Sequence, residues 1–176
     1  AGKSYICKKL EKHGFNIVDC DDVVKNIYDN DKALVKSLCD EFGDILTNGK
    51  LDRKKLGNIV FNDKSKLEKL NSLVHPAVIG RCESFAKLPC VLDAPQLFEA
   101  KAQNKCFKTI AVLASEKTRI ERITKRDNIT VEEAKKRLSS QFSEDYFKSN
   151  CDFVIYNNDE VDIDREIDDI LHSLGF

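Results

Sequence analysis

The sequence predicts an α/β fold, a parallel sheet covered on both faces by helices, on three observations. Four short apolar runs, at residues 15–18, 89–93, 109–113 and 153–156, alternate with helical patterns, the ordering that parallel strands require. The first two close on carboxylates, Asp19 with Asp21 and then Asp93, and in open α/β sheets ligands sit beyond the carboxyl ends of the strands. The chain opens on Ala1-Gly2-Lys3-Ser4 directly before a helical pattern, which matches the second half of a G-x-x-x-x-G-K-[ST] phosphate loop. The loop's first glycine and the buried strand that delivers it are expected ahead of Ala1, so the sheet is expected to lack its first strand.

Composition narrows the field. A chain of 176 residues suits one domain, long enough to bury most of what the unfolded chain exposes. Apolar residues make up 41% and charged ones 34%, with neither an apolar run of roughly 18 residues nor a signal-peptide pattern, so a cytoplasmic location is the default expectation. The net charge of -1 supplies no global basic field, which argues against nucleic acid or a membrane as partner and leaves anion binding to a local cluster. Seven cysteines occur without a C-x-x-C pair or zinc-type spacing, and such a set reads as reduced thiols serving as small buried hydrophobes. Methionine is absent even at position 1; with a start inside a motif, the chain is expected to be less than the whole gene product.

Taken in order, Ile6 and Leu10 recur at helical spacing and Gly14 supplies a stop, so a helix runs straight out of Gly2-Lys3-Ser4 and presents its amino terminus to a phosphate. Residues 15–18 form the first strand. Asp19 and Asp21 then stand where a ligand would bind, unless Asp21 or Asp22 merely caps the helix through Val23, Val24, Ile27 and Tyr28. Residues 31–88 are almost entirely helical in pattern. Leu34, Leu38 and Phe42 lead to Gly43, Asn48-Gly49 is a turn, and Leu51-Asp52-Arg53 opens a run through Leu56, Ile59 and Val60. A third run, with Leu67, Leu70 and Leu73, is expected to stop at His75-Pro76, because the residue before a proline is pushed out of the helical region. His75 has no partner pattern and reads as a structural hydrogen-bonder.

Residues 89–93 form the second strand, whose Asp93 either reaches a metal through water or fixes the turn at Ala94-Pro95. Residues 109–113 are the third. Ser115 then starts a helix that places Arg119, Arg122 and Arg126 on one face, with Ile120 and Ile123 turned to the body. Guanidinium forks match phosphate oxygens; the alternative is a solvated face paired with Glu116, Glu121 and Asp127. Thr130-Val131-Glu132-Glu133 is a capping box for a further helix carrying Arg137 one turn before Gln141, and two short arginine-rich helices suit a lid that closes over a nucleotide. Residues 153–156 are the fourth strand. Asn157-Asn158 after it either bracket a purine edge or form a turn, and a helix through Ile163, Ile167, Ile170 and Leu174 ends the chain.

Several segments in this order carry a resemblance: Gly2-Lys3-Ser4; Ile17-Val18-Asp19-Cys20-Asp21; Leu51-Asp52-Arg53 with Val60-Phe61; Leu73-Val74-His75-Pro76; Val91-Leu92-Asp93-Ala94-Pro95 with Leu97-Phe98-Glu99; the run from Arg122 to Arg126-Asp127; Gln141; and Val154-Ile155-Tyr156-Asn157-Asn158. Together they resemble the dephospho-CoA kinase family over essentially the whole chain. The resemblance implies a P-loop NTPase-type three-layer fold, a single domain over residues 1–176, with a mainly helical CoA-side region at 31–88 and a helical lid at 116–145. It implies transfer of the γ-phosphate of ATP to the ribose 3′-hydroxyl of dephospho-CoA, the final step of coenzyme A biosynthesis, with Mg²⁺ as cofactor.

Residue by residue, the resemblance implies that Gly2, Lys3 and Ser4 hold the triphosphate and Mg²⁺, while Asp93 stays open between the metal and the turn. Asp21 would meet the acceptor hydroxyl as general base or orienting group, with Asp19 beside it. Lys3, Arg122 and Arg126 would neutralise the transferring phosphate, Arg53 and His75 would lie on the acceptor side, reversing the structural reading of His75, and Asn157 near the adenine. Three residues depart from the family pattern: Tyr5 after the loop serine, Gln96 after Pro95 where an aliphatic residue is usual, and Tyr156 where an acid is common. Two rival readings are another P-loop small-molecule kinase, for a nucleoside or nucleoside monophosphate, and a non-catalytic nucleotide-binding module; fold alone does not separate them.

Overall fold

The computed structural model describes residues 1–61, 63–139, 141–158 and 161–176. In chain order these form α1 (Lys3–Lys12), β1 (Asn16–Asp19), α2 (Cys20–Asn30), α3 (Lys32–Phe42), β2 (Leu46–Thr47), β3 (Lys50–Leu51), α4 (Arg53–Val60), α5 (Lys64–Phe85), β4 (Cys90–Asp93), β5 (Ile110–Leu113), α6 (Glu116–Asp127), α7 (Val131–Ser139), α8 (Glu144–Asn150), β6 (Phe153–Tyr156) and α9 (Ile163–Leu174). They divide between two units, one of residues 15–102 and one of residues 1–14 with 103–176.

In the unit of residues 15–102, β1 and β4 pair in parallel, with Ile17 opposite Val91 and Asp19 opposite Asp93. Parallel neighbours need a crossover, and here it is the helical excursion from α2 to α5. Its core gathers Val18, Val23, Ile27, Leu34, Leu38, Ile45, Leu56, Val60, Val74 and Cys82. Fully burying one such aliphatic side chain contributes roughly 1.5–3 kcal/mol, so the helices are held by packing more than by propensity. Each starts on an aspartate that accepts backbone N–H groups: Asp19 for α2, Asp31 for α3, Asp52 for α4 and Asp63 for α5. Such caps contribute about 1 kcal/mol each.

Two expectations in this unit are corrected. The helix expected to stop at His75-Pro76 runs unbroken to Phe85 with Pro76 inside it. The restriction before proline is a cost and not a prohibition, and Val74 and Cys82 in the core, with Leu67, Leu70, Leu73, Ala77 and Val78 against it, offset that cost. The region 31–88 also contains an antiparallel hairpin of β2 and β3. Asn48 and Gly49 at its tip have φ of 52° and 76°, the backbone that an Asn-Gly two-residue turn adopts.

In the other unit, β5 and β6 pair in parallel, Ile110 opposite Phe153 through Leu113 opposite Tyr156. α9 packs on β6 and on α1 through an apolar stripe of Ile163, Ile167, Ile170 and Leu171, all buried. Ile6, Cys7 and Leu10 are the buried face of α1. The predicted capping box forms: Thr130 Oγ1 accepts from the Glu133 N–H at 3.2 Å, and Glu133 Oε2 accepts from the Thr130 N–H at 2.9 Å. Ile120 and Ile123 are only partly buried, and α6 has no fully buried residue. The sequence pattern did not reveal α8, a helix of seven residues with Ser143 as its cap, too short to develop a periodic stripe.

Candidate functional site

Gly2 sits at the amino terminus of α1 in the left-handed region, with φ of 92°. A Cβ there would collide with the Asn157 Nδ2 and come within 3.6 Å of the Arg122 Nη1. That crowding has a purpose. Asn157 Nδ2 donates to the Ala1 carbonyl at 2.9 Å, while Arg122 Nη1 donates to the Asn157 carbonyl at 3.0 Å and to the Ala1 carbonyl at 3.4 Å. The ends of β6 and the middle of α6 thus clamp the backbone just before the helix, and only glycine leaves room for the clamp.

α1 itself has no side-chain cap. A helix start of this kind presents the positive end of its dipole to an anion. Lys3 is half-buried and Ser4 exposed. Arg122, Arg119, Arg126 and Lys3 all bring positive charge to bear at Ala1, so four cations act on this one point.

The predicted arginine stripe divides into three roles. Arg122 is the backbone clamp. Arg126 forks onto Asp127, Nε to Oδ1 at 2.7 Å and Nη2 to Oδ2 at 2.9 Å, and Arg137 Nη1 reaches the same Asp127 Oδ2 at 2.6 Å. These two guanidiniums hold the Asp127 carboxyl below the usual range, Arg126 most of all. For Arg126 the paired-face alternative therefore describes the geometry. Arg119 differs again: its Nε is buried and makes no hydrogen bond among the described residues.

Asn157 is only 8% exposed, and its amide nitrogen is engaged by Ala1; the Asn158 Oδ1 accepts from the Ser115 N–H at 3.0 Å. Both amides therefore act locally, on the loop and on the start of α6. Tyr156, the departure that precedes them, donates to Glu144 Oε1 at 3.0 Å, a contact that an acid at that position would not make.

In the unit of residues 15–102 the acids also separate by role. Asp19, and neither Asp21 nor Asp22, is the cap of α2: its Oδ1 accepts from the Asp21 N–H at 2.8 Å and the Asp22 N–H at 3.2 Å. Asp21 is left in the first turn, exposed, its carboxylate without a hydrogen bond among the described residues. A pocket of about 430 Å³ opens beside this stretch, lined by Asp19, Asp22, Asn26 and Phe85 among others. Asp93, opposite Asp19 in the strand register, is 5% exposed.

Arg53, the first residue of α4, stacks its guanidinium over the Tyr28 ring, 5.5 Å from the centroid, and burial pushes the Tyr28 hydroxyl up. His75 lies on α5, where burial pushes it below the ordinary imidazole value against a hydrogen bond to Gln96 and the charge of Glu99. Gln96 is the second departure from the family pattern, and here it is the partner of His75. Spacing does not reveal the pair, because twenty residues and a helix end lie between them.

In the unit of residues 1–14 and 103–176 the start of α1 can hold a polyphosphate, and within the unit of residues 15–102 Asp21 and His75 offer a carboxylate and a histidine. No cluster of three or more His, Cys, Asp or Glu side chains able to hold a metal occurs among the described residues. The Ser4 hydroxyl and the Asp93 carboxylate are hard oxygen donors, and Mg²⁺ commonly takes one or two such protein ligands with the rest from water and phosphate. Among the described residues no helix is long and apolar enough to cross a membrane.

Comparison with known proteins agrees across sequence and structure. Residues 1–162 match the family described as dephospho-CoA kinase. A dephospho-CoA kinase of Fusobacterium nucleatum is 35% identical over 168 residues, 92% of this chain and 86% of that protein. One from Oryza sativa is 35% identical over 175 residues, covering 94% and 76%. Among solved structures, TT1252 from Thermus thermophilus superposes with a TM-score of 0.80 at 28% identity, over 98% of this chain and 92% of that one. A dephospho-CoA kinase from Campylobacter jejuni gives 0.67 at 27% identity, over 98% and 91%.

Proposed function

The chain belongs to the dephospho-CoA kinase family, and from that premise we propose how its own residues carry out the family's reaction. The fold is the P-loop NTPase-type α/β fold of its structural neighbours. The activity is ATP-dependent phosphorylation of dephospho-CoA in coenzyme A biosynthesis, with the two nucleotides as small-molecule substrates. At the acceptor's ribose 3′-hydroxyl a new O–P bond forms as the bond between the γ-phosphorus and its bridging oxygen breaks. ADP leaves and the hydroxyl proton must be taken up.

Asp21 is the proposed group for that proton, as general base or orienting acceptor. Its support is the division of labour at the start of α2: Asp19 caps the helix, which leaves the exposed Asp21 carboxylate available. Gly2, Lys3 and Ser4 are proposed to cradle the triphosphate at the uncapped end of α1. Phosphoryl transfer is chiefly positioning and charge neutralisation, and Lys3, Arg122 and Arg126 are the proposed cations, Arg126 after exchanging Asp127 for phosphate. Arg122 and Asn157 act first by holding the loop, so the proposed contribution of Asn157 to the adenine end of ATP runs through the backbone it braces.

Mg²⁺ is proposed as cofactor, with Ser4 as ligand and Asp93 acting through water; bound there, it would neutralise phosphate charge. Arg53 and His75 are proposed for the acceptor, within a CoA-side region at residues 31–88, and residues 116–145 for a lid in what we read as one domain over 1–176. A cytoplasmic site of action is proposed, with partners other than nucleic acid or membrane; the near-zero net charge supports the exclusion of nucleic acid.

The observation that carries the nucleotide assignment is the clamp of Arg122 and Asn157 on the Ala1 carbonyl at Gly2. The test is ADP release with dephospho-CoA against a nucleoside monophosphate. Turnover with the monophosphate alone selects the rival kinase, and ATP binding without turnover on either selects the binding module.

A further inference from the structure

Cys20 is the first residue of α2, between Asp19 and Asp21, and Cys82 lies on α5, which packs against α2. Their sulfur atoms are 3.6 Å apart, 62 residues apart in sequence. Cys82 is 3% exposed and Cys20 is partly open to solvent. Two thiols at this distance are in S–H···S contact, and a disulfide would bring them about 1.5 Å closer, a movement on the scale of a side-chain rotation. Nothing in the phosphoryl transfer uses either thiol, and packing alone does not require two of them face to face.

We propose that Cys20 and Cys82 are a thiol–disulfide site that takes hydrogen peroxide as oxidant. One sulfur attacks the peroxide: an S–O bond forms, the O–O bond breaks, and water leaves with the thiol proton. The second sulfur then displaces the hydroxyl from the resulting sulfenic acid; the S–S bond forms, the S–O bond breaks, and a second water carries off the second proton. Two thiols lose two electrons to one peroxide, which becomes two waters. The more open Cys20 is where the oxidant enters. The contact polarises the pair: the hydrogen bond to Cys82 and burial push the Cys20 thiol up, while the hydrogen bond from Cys20 pushes the Cys82 thiol down, so the Cys82 sulfur is the readier nucleophile and Cys20 the opening through which the oxidant reaches it.

The consequence for catalysis rests on the assignment of Asp21 above. Tying Cys20 to α5 fixes the turn that bears Asp21, and a displacement of a reacting group by even an ångström can cost as much as 10²-fold in rate. The oxidised enzyme is therefore a kinase with reduced turnover, restored by a dithiol.

The test treats the native chain with hydrogen peroxide, alkylates the remaining thiols and identifies cross-linked peptides by mass spectrometry. The expected result is a Cys20–Cys82 peptide lighter by two hydrogens, absent after dithiothreitol, with Cys39 and Cys90 still alkylated. Alkylation of Cys20 and Cys82 to the same extent as Cys39 and Cys90, or conversion of Cys20 to sulfinic acid without a cross-link, overturns the proposal. Kinase activity is read in parallel on the wild type and on Cys20→Ala, which spares the more deeply buried Cys82. The wild type should lose turnover on the order of tenfold and recover it, while Cys20→Ala keeps its activity in peroxide. A cross-link without loss of turnover would leave the disulfide site standing and remove the assignment of Asp21 as the group it acts on.

Discussion

Replacing Gly2 with alanine tests the clamp most stringently. The backbone at Gly2 has φ of 92°, and a residue with a Cβ pays roughly 1–2 kcal/mol to hold a left-handed conformation. The added methyl also displaces the Asn157 amide from the Ala1 carbonyl, a hydrogen bond whose net contribution is about 1 kcal/mol. If the loop relaxes away from its clamped form to avoid both, the clamped form that binds ATP is reached at a cost of about 2–3 kcal/mol, or roughly 30- to 150-fold in affinity.

Steady-state kinetics with ATP as the varied substrate reads that shift as KM, and thermal melting shows whether the chain remains folded. Gly14→Ala is the control: Gly14 has φ of 89°, yet a Cβ there meets nothing within 4 Å. It should lower the melting temperature and leave the KM for ATP unchanged. Gly2→Ala with a KM for ATP within about threefold of wild type, well short of the shift expected from strain and the lost contact, would refute the reasoning.

Two further outcomes follow from the same contacts. Gln96→Leu removes the hydrogen bond that favours protonated His75, so the His75 pKa, already lowered by burial, should fall further by NMR titration; an unchanged titration would separate the two residues. Asp152 is held at about 2 by Lys108 and by the backbone and hydroxyl of Thr109, below the usual unfolded value of about 3.9. The unfolded state binds the proton first on acidification, so the stabilisation is fully present above the unfolded value and is lost as pH falls through about 2. Urea midpoints of the wild type should therefore drop between about pH 4 and 2 more steeply than those of Asp152→Asn; parallel curves would contradict the assignment.

The strands were legible because burial on both faces leaves a continuous apolar run, so 109–113 and 153–156 emerged within a residue of β5 and β6. The capping box and the Asn-Gly turn were legible because their chemistry is local. Pro76 misled because propensity is a local quantity and the packing of α5 is not. At the site, the type and place of the charges could be read but not their partners. Arg122 and Arg126 look alike in a helical repeat, yet one clamps backbone and the other is paired with Asp127. Gln96 and Tyr156 stood out as departures, and only three dimensions show that one meets His75 and the other Glu144. The same limit hid the Cys20 and Cys82 contact, which no spacing rule connects.

The assignment of Asp21 is tested most directly by Asp21→Asn, measured as turnover with saturating dephospho-CoA beside ATP affinity by titration. Removing a positioned proton acceptor should lower turnover by about 10²-fold or more while ATP affinity stays within about threefold, because the cradle at Gly2, Lys3 and Ser4 is intact. Wild-type turnover in the variant would contradict the account.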